Sequence, residues 1–158
     1  MNTEKAKIHG NKMNIIFITF IFLFSCSKDS EPINYGTDQC DHCRMTIMDK
    51  KFGAEILTKK GKAVKFDALE CMINYLLENN INESDVDKYY CVDYSDPAKL
   101  TDAKEMIFIV SPKIKSPMGE NISAFFAKET AERFLSDNGG EIYSWEGIRN
   151  KLNAINKH

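Results

Sequence analysis

The sequence has little of what most enzymes and nucleic-acid-binding proteins require. It holds three histidines in 158 residues, and it shows no nucleophile elbow, phosphate-binding loop or catalytic carboxylate motif. Ordinary hydrolytic or acid–base catalysis therefore has few groups to use. The formal net charge is −2, so the sequence predicts no basic surface for nucleic acid. The composition thus argues against an enzyme and against a nucleic-acid partner.

Long hydrophobic runs are also missing. The most apolar stretch, residues 15–24, is much shorter than the roughly 20 residues of a membrane-spanning helix. Lysines precede this stretch, and the quartet Leu-Phe-Ser-Cys at residues 23–26 follows it, a pattern typical of a lipoprotein signal peptide. We predict that residues 1–25 are removed and that acylated Cys26 holds the protein on a membrane. An uncleaved anchor helix is the alternative.

Residues 26–39 are mostly polar and contain Pro32 and Gly36. This composition predicts a flexible tether with a reach of roughly 20 Å. The folded domain is then expected to span residues 40–158.

Strand and helix patterns after residue 40 predict an α+β domain. The first half is predicted to contain strands at 52–59 and 62–66 with a turn at Lys60-Gly61, a helix capped by Asp67 that ends at 79–80, and a strand at 88–94. A loop over 93–97 leads on to a second half with strands at 106–110 and 122–126, a helix at 127–137, a strand at 141–143 and a last helix capped by Ser144.

The second half resembles the first. A shift of 59 residues aligns Phe66 and Glu70 with Phe125 and Glu129, among five matches from a strand end to a helix end. We therefore predict two similar ββαβ halves, about 40–96 and 97–158, packed as one small domain.

The densest group of candidate metal ligands is residues 40–45, Cys-Asp-His-Cys-Arg-Met. Three functions are open for Cys40 and Cys43. A redox pair normally begins a helix that follows a strand, and a structural zinc site needs four ligands, usually from a second cysteine pair. Cu(I) accepts fewer ligands and prefers thiolate and thioether sulfur.

Three methionines are candidate thioether donors. Met45 and Met48 follow the cysteines, and Met118 lies between a proline and a glycine in a loop, where no helix or strand face is predicted to need an apolar side chain. Core packing is the alternative for each of them.

His42 is a candidate imidazole ligand or a solvated turn residue. Cys71 and Cys91 are predicted to be small packing residues, with a disulfide between them as the alternative in an oxidising compartment.

Three motifs together resemble the NosL family. They are Cys40-x-x-Cys43-x-Met45, the Phe66-Asp67 pair before a helix that contains Cys71-Met72, and Ser116-Pro117-Met118-Gly119 before Ala124-Phe125. Their order covers the chain from residue 40 to about residue 135. The sequence departs from the family pattern at Arg44, where glycine is usual, and at Ala68, where a second acid is common.

The resemblance implies a Cu(I)-binding chaperone of the bacterial cell envelope, lipid-anchored and periplasmic or on the outer membrane. Proteins of that family serve nitrous oxide reductase maturation, helping to supply its copper-sulfide cluster with an ABC-type transporter. Their fold has two similar ββαβ halves. The implied copper donors are Cys40, Cys43, Met45 and Met118, and the implied partner is a copper-acceptor protein. A thiol–disulfide redox lipoprotein and a metal-free binding module are the alternatives.

Overall fold

The computed structural model describes residues 29–155. The predicted signal peptide and Cys26 lie outside the described residues. Within these residues the chain forms β1 (Ala54–Thr58), β2 (Ala63–Phe66), α1 (Leu69–Glu78), β3 (Val86–Asp93), β4 (Asp96–Asp102), β5 (Ile107–Val110), β6 (Ile122–Phe125), α2 (Lys128–Asn138), β7 (Glu141–Tyr143) and α3 (Trp145–Ile155). Short 3₁₀ turns at Glu83–Asp85 and Ala103–Glu105 precede β3 and β5.

The seven strands belong to one sheet. The strand order across the sheet is β2-β1-β3-β6-β5-β7, and β4 pairs with β3 outside this order. β1 pairs antiparallel with β2 and β3, while β5 pairs antiparallel with β6 and β7. The two groups join where β3 runs parallel to β6, at Asp93 and Ala124. The predicted α+β class is therefore confirmed, and the order strand–strand–helix–strand occurs in each half. A duplication of one unit stays a prediction.

Local signals in the sequence identified most element ends. Gly61 has a φ of 80° and its N–H donates to the Thr58 carbonyl, which closes the predicted turn. Ser144 accepts a hydrogen bond from the Gly147 N–H at the start of α3, as a capping serine should. The cap predicted for α1 is wrong, because Ala68 occupies the N-cap position and no side chain caps the helix. Asp67 is instead buried beside the candidate metal centre.

The sequence pattern missed β4. Pro97 led us to predict a loop over residues 93–97, yet β4 begins at Asp96 and its first four residues are exposed. Proline is tolerated there because an edge strand does not need every N–H for pairing.

The first strands position α1. In β1 and β2, Ala54, Ile56, Val64 and Phe66 are buried and share a core cluster with α1 and with Trp145, Ile148 and Leu152 of α3. Because successive side chains in a strand alternate between faces, these residues all point to the α1 side of the sheet. The first turn of α1 is therefore packed where β2 ends.

Residues 31–38 form an N-terminal strap on the other face of the sheet. Glu55 points to that face and is buried. Both of its carboxylate oxygens accept a hydrogen bond from the Glu31 N–H, each at 3.1 Å. Ile33 is buried over Gly53, where a Cβ would lie 2.7 Å from the Ile33 Cδ1. The prediction of a flexible tether is therefore wrong for the strap, since these contacts offset the entropy lost on ordering it. The folded domain begins near residue 31.

Candidate metal centre

The Cys40 loop, residues 39–46, is a closed turn. Gln39 and Thr46 form a β-bridge across its base, and the Cys40 N–H donates to the Met45 carbonyl at 2.8 Å. Arg44 adopts a left-handed φ of 65°, which costs an L-residue about 1–2 kcal/mol and costs glycine little. The turn therefore keeps the conformation that the usual glycine of the family would favour, despite the arginine.

β2 fixes the Cys40 loop through Lys65. The Asp41 N–H donates to the Lys65 carbonyl at 2.9 Å, and the Lys65 N–H donates to an Asp41 carboxylate oxygen at 3.1 Å. The Lys65 ammonium donates to Asp38 at 2.9 Å and to the Pro32 carbonyl at 2.8 Å. One residue of the sheet thus holds both the strap and the loop beside the start of α1.

Three cysteine sulfurs meet at this point. The Sγ atoms of Cys40, Cys43 and Cys71 all lie within 4.8 Å of one another. Cys40 and Cys71 are fully buried, whereas Cys43 is half-buried. Cys71 is buried in the core, as predicted, and α1 also brings its sulfur to the Cys40 loop, which makes it a further candidate ligand.

The disulfide alternative is also wrong for this structure, since the four cysteines between residues 29 and 155 are free thiols. Cys91 is not part of the sulfur group and is buried in β3, where burial raises the pKa of its thiol. It remains a packing residue, as predicted.

The local hydrogen bonds favour one thiolate among the three sulfurs. A hydrogen bond from the Cys71 thiol is the main cause that lowers the pKa of Cys40 to about 5, helped by the backbone N–H groups of Asp67, Cys43 and His42. The same Cys40–Cys71 hydrogen bond, with burial, raises the pKa of Cys71. Burial also raises the pKa of Cys43. These hydrogen bonds favour the thiolate form of Cys40, which is the form that binds a metal.

A buried acid adds to the negative charge of the centre. Burial, followed by the charge of Cys40, raises the pKa of Asp67 to about 6, and a hydrogen bond from the Met48 N–H partly offsets that effect. A thiolate and a carboxylate held close together favour a bound cation, which would relieve their repulsion.

The predicted thioether donors lie in different surroundings. Met45 is 49% exposed and Met48 is 67% exposed, so the core-packing alternative does not apply to either. Met118 is half-buried and packs against both hydrophobic clusters of the domain, one of which contains Cys40 and Cys71. Metal binding by the three methionines stays a prediction.

His42 is not a freely solvated turn residue. Its Nε2 lies 3.2 Å from a carboxylate oxygen of Glu78, at the end of α1. Its Nδ1 is buried and has no hydrogen-bond partner among the described residues. A buried nitrogen without a partner, in the same loop as Cys40 and Cys43, is a suitable additional metal ligand, as the sequence suggested.

The donor set suits a soft d¹⁰ ion. Thiolate sulfur binds such ions at about 2.3 Å, as in zinc sites, so three sulfurs around one ion in a plane lie about 4 Å apart. The three Sγ atoms already lie within 4.8 Å, so a small side-chain adjustment would complete such a site. Thiolates with thioethers close by select Cu(I) over harder ions.

The fold and the centre together define a small α+β domain with a sulfur-rich candidate metal site beside β2 and the start of α1. The NosL family model matches residues 34–153, and the chain belongs to the NosL family.

A solved structure has the same fold. The crystal structure of the copper chaperone NosL from Shewanella denitrificans shares 26% sequence identity with this chain and aligns with a TM-score of 0.65. The match covers 75% of this chain and 94% of that one. No curated protein matches the chain significantly. Among residues 29–155, no helix has the length and apolar character needed to cross a membrane.

Proposed function

We propose that this protein is a copper chaperone that carries one Cu(I) ion as cargo. The observation that supports the proposal best is the group of three sulfurs within 4.8 Å, in which local hydrogen bonds lower the pKa of Cys40. The NosL family and the copper chaperone with the same fold support it further. Cys40, Cys43, Met45 and Met118 are the ligands implied by the family resemblance, and Cys71 is the ligand added by the tertiary structure.

Cargo transfer follows from the uneven burial of the donors. Cys40 and Cys71 are closed off from solvent, whereas Cys43 is half-buried and Met45 and Met48 are exposed. A donor of an acceptor protein can therefore approach from the side of Cys43 and bind the ion before the buried thiolates release it. Transfer by such ligand exchange avoids free copper, since the ion never leaves sulfur ligands.

The acceptor we propose is nitrous oxide reductase or the ABC transporter of its assembly, as the family resemblance implies. The place of action is the bacterial cell envelope, with the domain anchored through acylated Cys26. The ordered strap shortens the anchor that we first predicted. The five steps along the chain from Cys26 to Glu31 can span at most about 18 Å, so an acylated protein would hold its copper site close to the membrane.

A competition titration tests this function. Reduced protein without oxygen should take one Cu(I) per molecule from a chromophoric Cu(I) chelator. Cys40→Ser and Cys43→Ser should weaken binding by about a hundredfold or more, since each removes a metal ligand rather than a supporting group. Cys91→Ala is the matched control, because it removes a buried thiol outside the sulfur group. Unchanged affinity in both serine variants, or stronger binding of Zn²⁺ than of Cu(I), would contradict the proposal.

The lowered pKa of Cys40 also favours a second candidate, a thiol–disulfide redox lipoprotein that uses Cys40 and Cys43. The sulfur of Cys40 also lies within 4.8 Å of the sulfur of Cys43, as the pair of a redox site requires. Exchange of the reduced protein with a disulfide substrate, followed by mass spectrometry, separates the two functions. A redox protein forms the Cys40–Cys43 disulfide readily, and a chaperone does so slowly or not at all.

A further inference from the structure

The Met118 loop, residues 111–121, connects β5 to β6 and has a rigid backbone. The Ser111 N–H donates to the Asn121 carbonyl at 3.1 Å and closes the loop, while Ile114 is fully buried beneath it. At the tip, the Gly119 N–H donates to the Ser116 carbonyl at 3.1 Å. The position of Met118 is therefore set by how this loop is held against the rest of the domain.

A side-chain hydrogen bond holds the loop to α1. The Ser116 hydroxyl donates to a carboxylate oxygen of Glu70 at 2.6 Å and accepts the Asn121 N–H at 2.9 Å. Both Ser116 and Glu70 are buried. Glu70 directly precedes Cys71 in α1, and Ser116 lies two residues before Met118. The contact thus links the helix of the third cysteine to the loop of the distant methionine.

Stability alone does not account for this contact. The second carboxylate oxygen of Glu70 is buried and has no hydrogen-bond partner among the described residues. Burial of an acid with one oxygen unsatisfied opposes folding, and an apolar pair of the same shape would serve a core better. Buried, hydrogen-bonded polar side chains are common next to the ligands of metal sites, where they orient the ligand side chains.

We propose that the Ser116–Glu70 hydrogen bond is a positioning contact that holds the Met118 thioether toward the three sulfurs, so that Met118 binds Cu(I) only while this contact is intact. The inference rests on the proposed copper function. It assigns no bond to copper for Ser116 or Glu70, and both act through Met118.

A double-mutant cycle on Cu(I) affinity tests the inference. Ser116→Ala alone should weaken binding by about tenfold to a hundredfold, as is typical when a group that orients a ligand is removed. In a Met118→Ala background the same change should have an effect of less than about threefold, because no thioether is left to position. Glu70→Gln keeps an acceptor oxygen for the serine and should retain affinity within about threefold, whereas Glu70→Ala should match Ser116→Ala.

Ser123→Ala is the matched control. Ser123 is a buried serine on β6 whose hydroxyl has no partner among the described residues, so its removal should leave affinity unchanged. Thermal unfolding of every variant separates a loss of fold from a loss of affinity.

The outcomes distinguish the inference from the function on which it rests. Absence of Cu(I) binding by the unmodified protein would overturn the proposed function. If that protein binds Cu(I) but Ser116→Ala has no effect, or the same effect with and without Met118, the positioning inference is wrong and the copper function stands. Full Cu(I) affinity in Met118→Ala would also overturn the inference, because Met118 would then not be a ligand and the cysteines would bind Cu(I) without it.

Discussion

The same arrangement of two strands and a helix occurs in both halves, yet among residues 29–155 the group of three cysteine sulfurs lies in the first half alone. α1 buries six of its ten residues, whereas α2 buries only Ala131. At matched positions, Asp67 and Cys71 of the first half are buried, while Phe126 is 49% exposed and Thr130 half-buried. Beneath α2 lies an aromatic cluster of Tyr94, Phe125 and Phe134, with ring centroids 5.3–5.7 Å apart.

Because both halves contain the strand–helix unit, the unit by itself does not produce the group of three sulfurs. The Cys40 loop adds two sulfurs to the start of α1, and the Met118 loop contacts the same helix through Ser116. Within residues 29–155 no group of cysteine sulfurs lies at the start of α2, where Ile114 and Met118 of the Met118 loop instead share an apolar cluster with Ala131. The two helices therefore differ in the Cys40 loop, which brings two further sulfurs to Cys71 of α1.

The largest expected effect concerns the burial of the two helices. Leu76→Ala in α1 should lower the free energy of unfolding by about 2–4 kcal/mol, because the side chain is buried. Leu135→Ala at the matched position of α2 should cost about 1 kcal/mol, since Leu135 is half-buried. Urea denaturation measures both values. If both substitutions lowered the free energy of unfolding equally, the two helices would be packed alike, and the difference in burial between the halves would have no effect on stability.

The next effect concerns the third sulfur. Cys71→Ser should weaken Cu(I) binding by about tenfold to a hundredfold, or about 1.4–2.7 kcal/mol, because serine is a poor ligand for a soft ion. Thr130→Ala at the matched position of α2 should leave the affinity unchanged. Competition with a Cu(I) chelator measures both. If Cys71→Ser bound copper as tightly as the unmodified protein, Cys71 would serve only to donate a hydrogen bond to Cys40.

The smallest effect concerns Glu55 beneath the strap. Burial raises the pKa of Glu55 to about 7, so the folded state holds its proton more tightly than the unfolded state. This group therefore makes the protein less stable as the pH rises from about 4.5 to 7. Glu55→Gln should stabilise the domain at pH 8 by about 1–2 kcal/mol, less than the full shift implies because a glutamine amide is also costly to bury.

Thermal unfolding across that pH range tests the expectation. The difference between Glu55→Gln and the unmodified protein should be small near pH 4 and should grow with pH. A constant difference would mean that the carboxylate is paired well enough in the folded state to stay charged.

Much of the fold was predictable because it depends on local signals. Alternation in the strands, the apolar stripe of α1 and the glycines after α2 all act over a few residues, and the elements formed where they indicated. β4 was missed because a proline in an exposed edge strand resembles a loop. The strap was missed because its order depends on Glu55 and Lys65, which lie more than twenty residues further along the chain.

The sequence by itself determined which donors are available, since the spacing of Cys40 and Cys43 and the small number of histidines argued against most other chemistry. Only the tertiary structure decided that the sulfur of Cys71 lies within 4.8 Å of theirs, because a thiol in a helix stripe resembles any small core residue until the loop that packs against it is known. It also decided that the thiolate form of Cys40 is favoured, since the pKa of Cys40 is lowered by a hydrogen bond from that same distant cysteine. Sequence patterns report neighbours along the chain, and a metal centre needs neighbours in space.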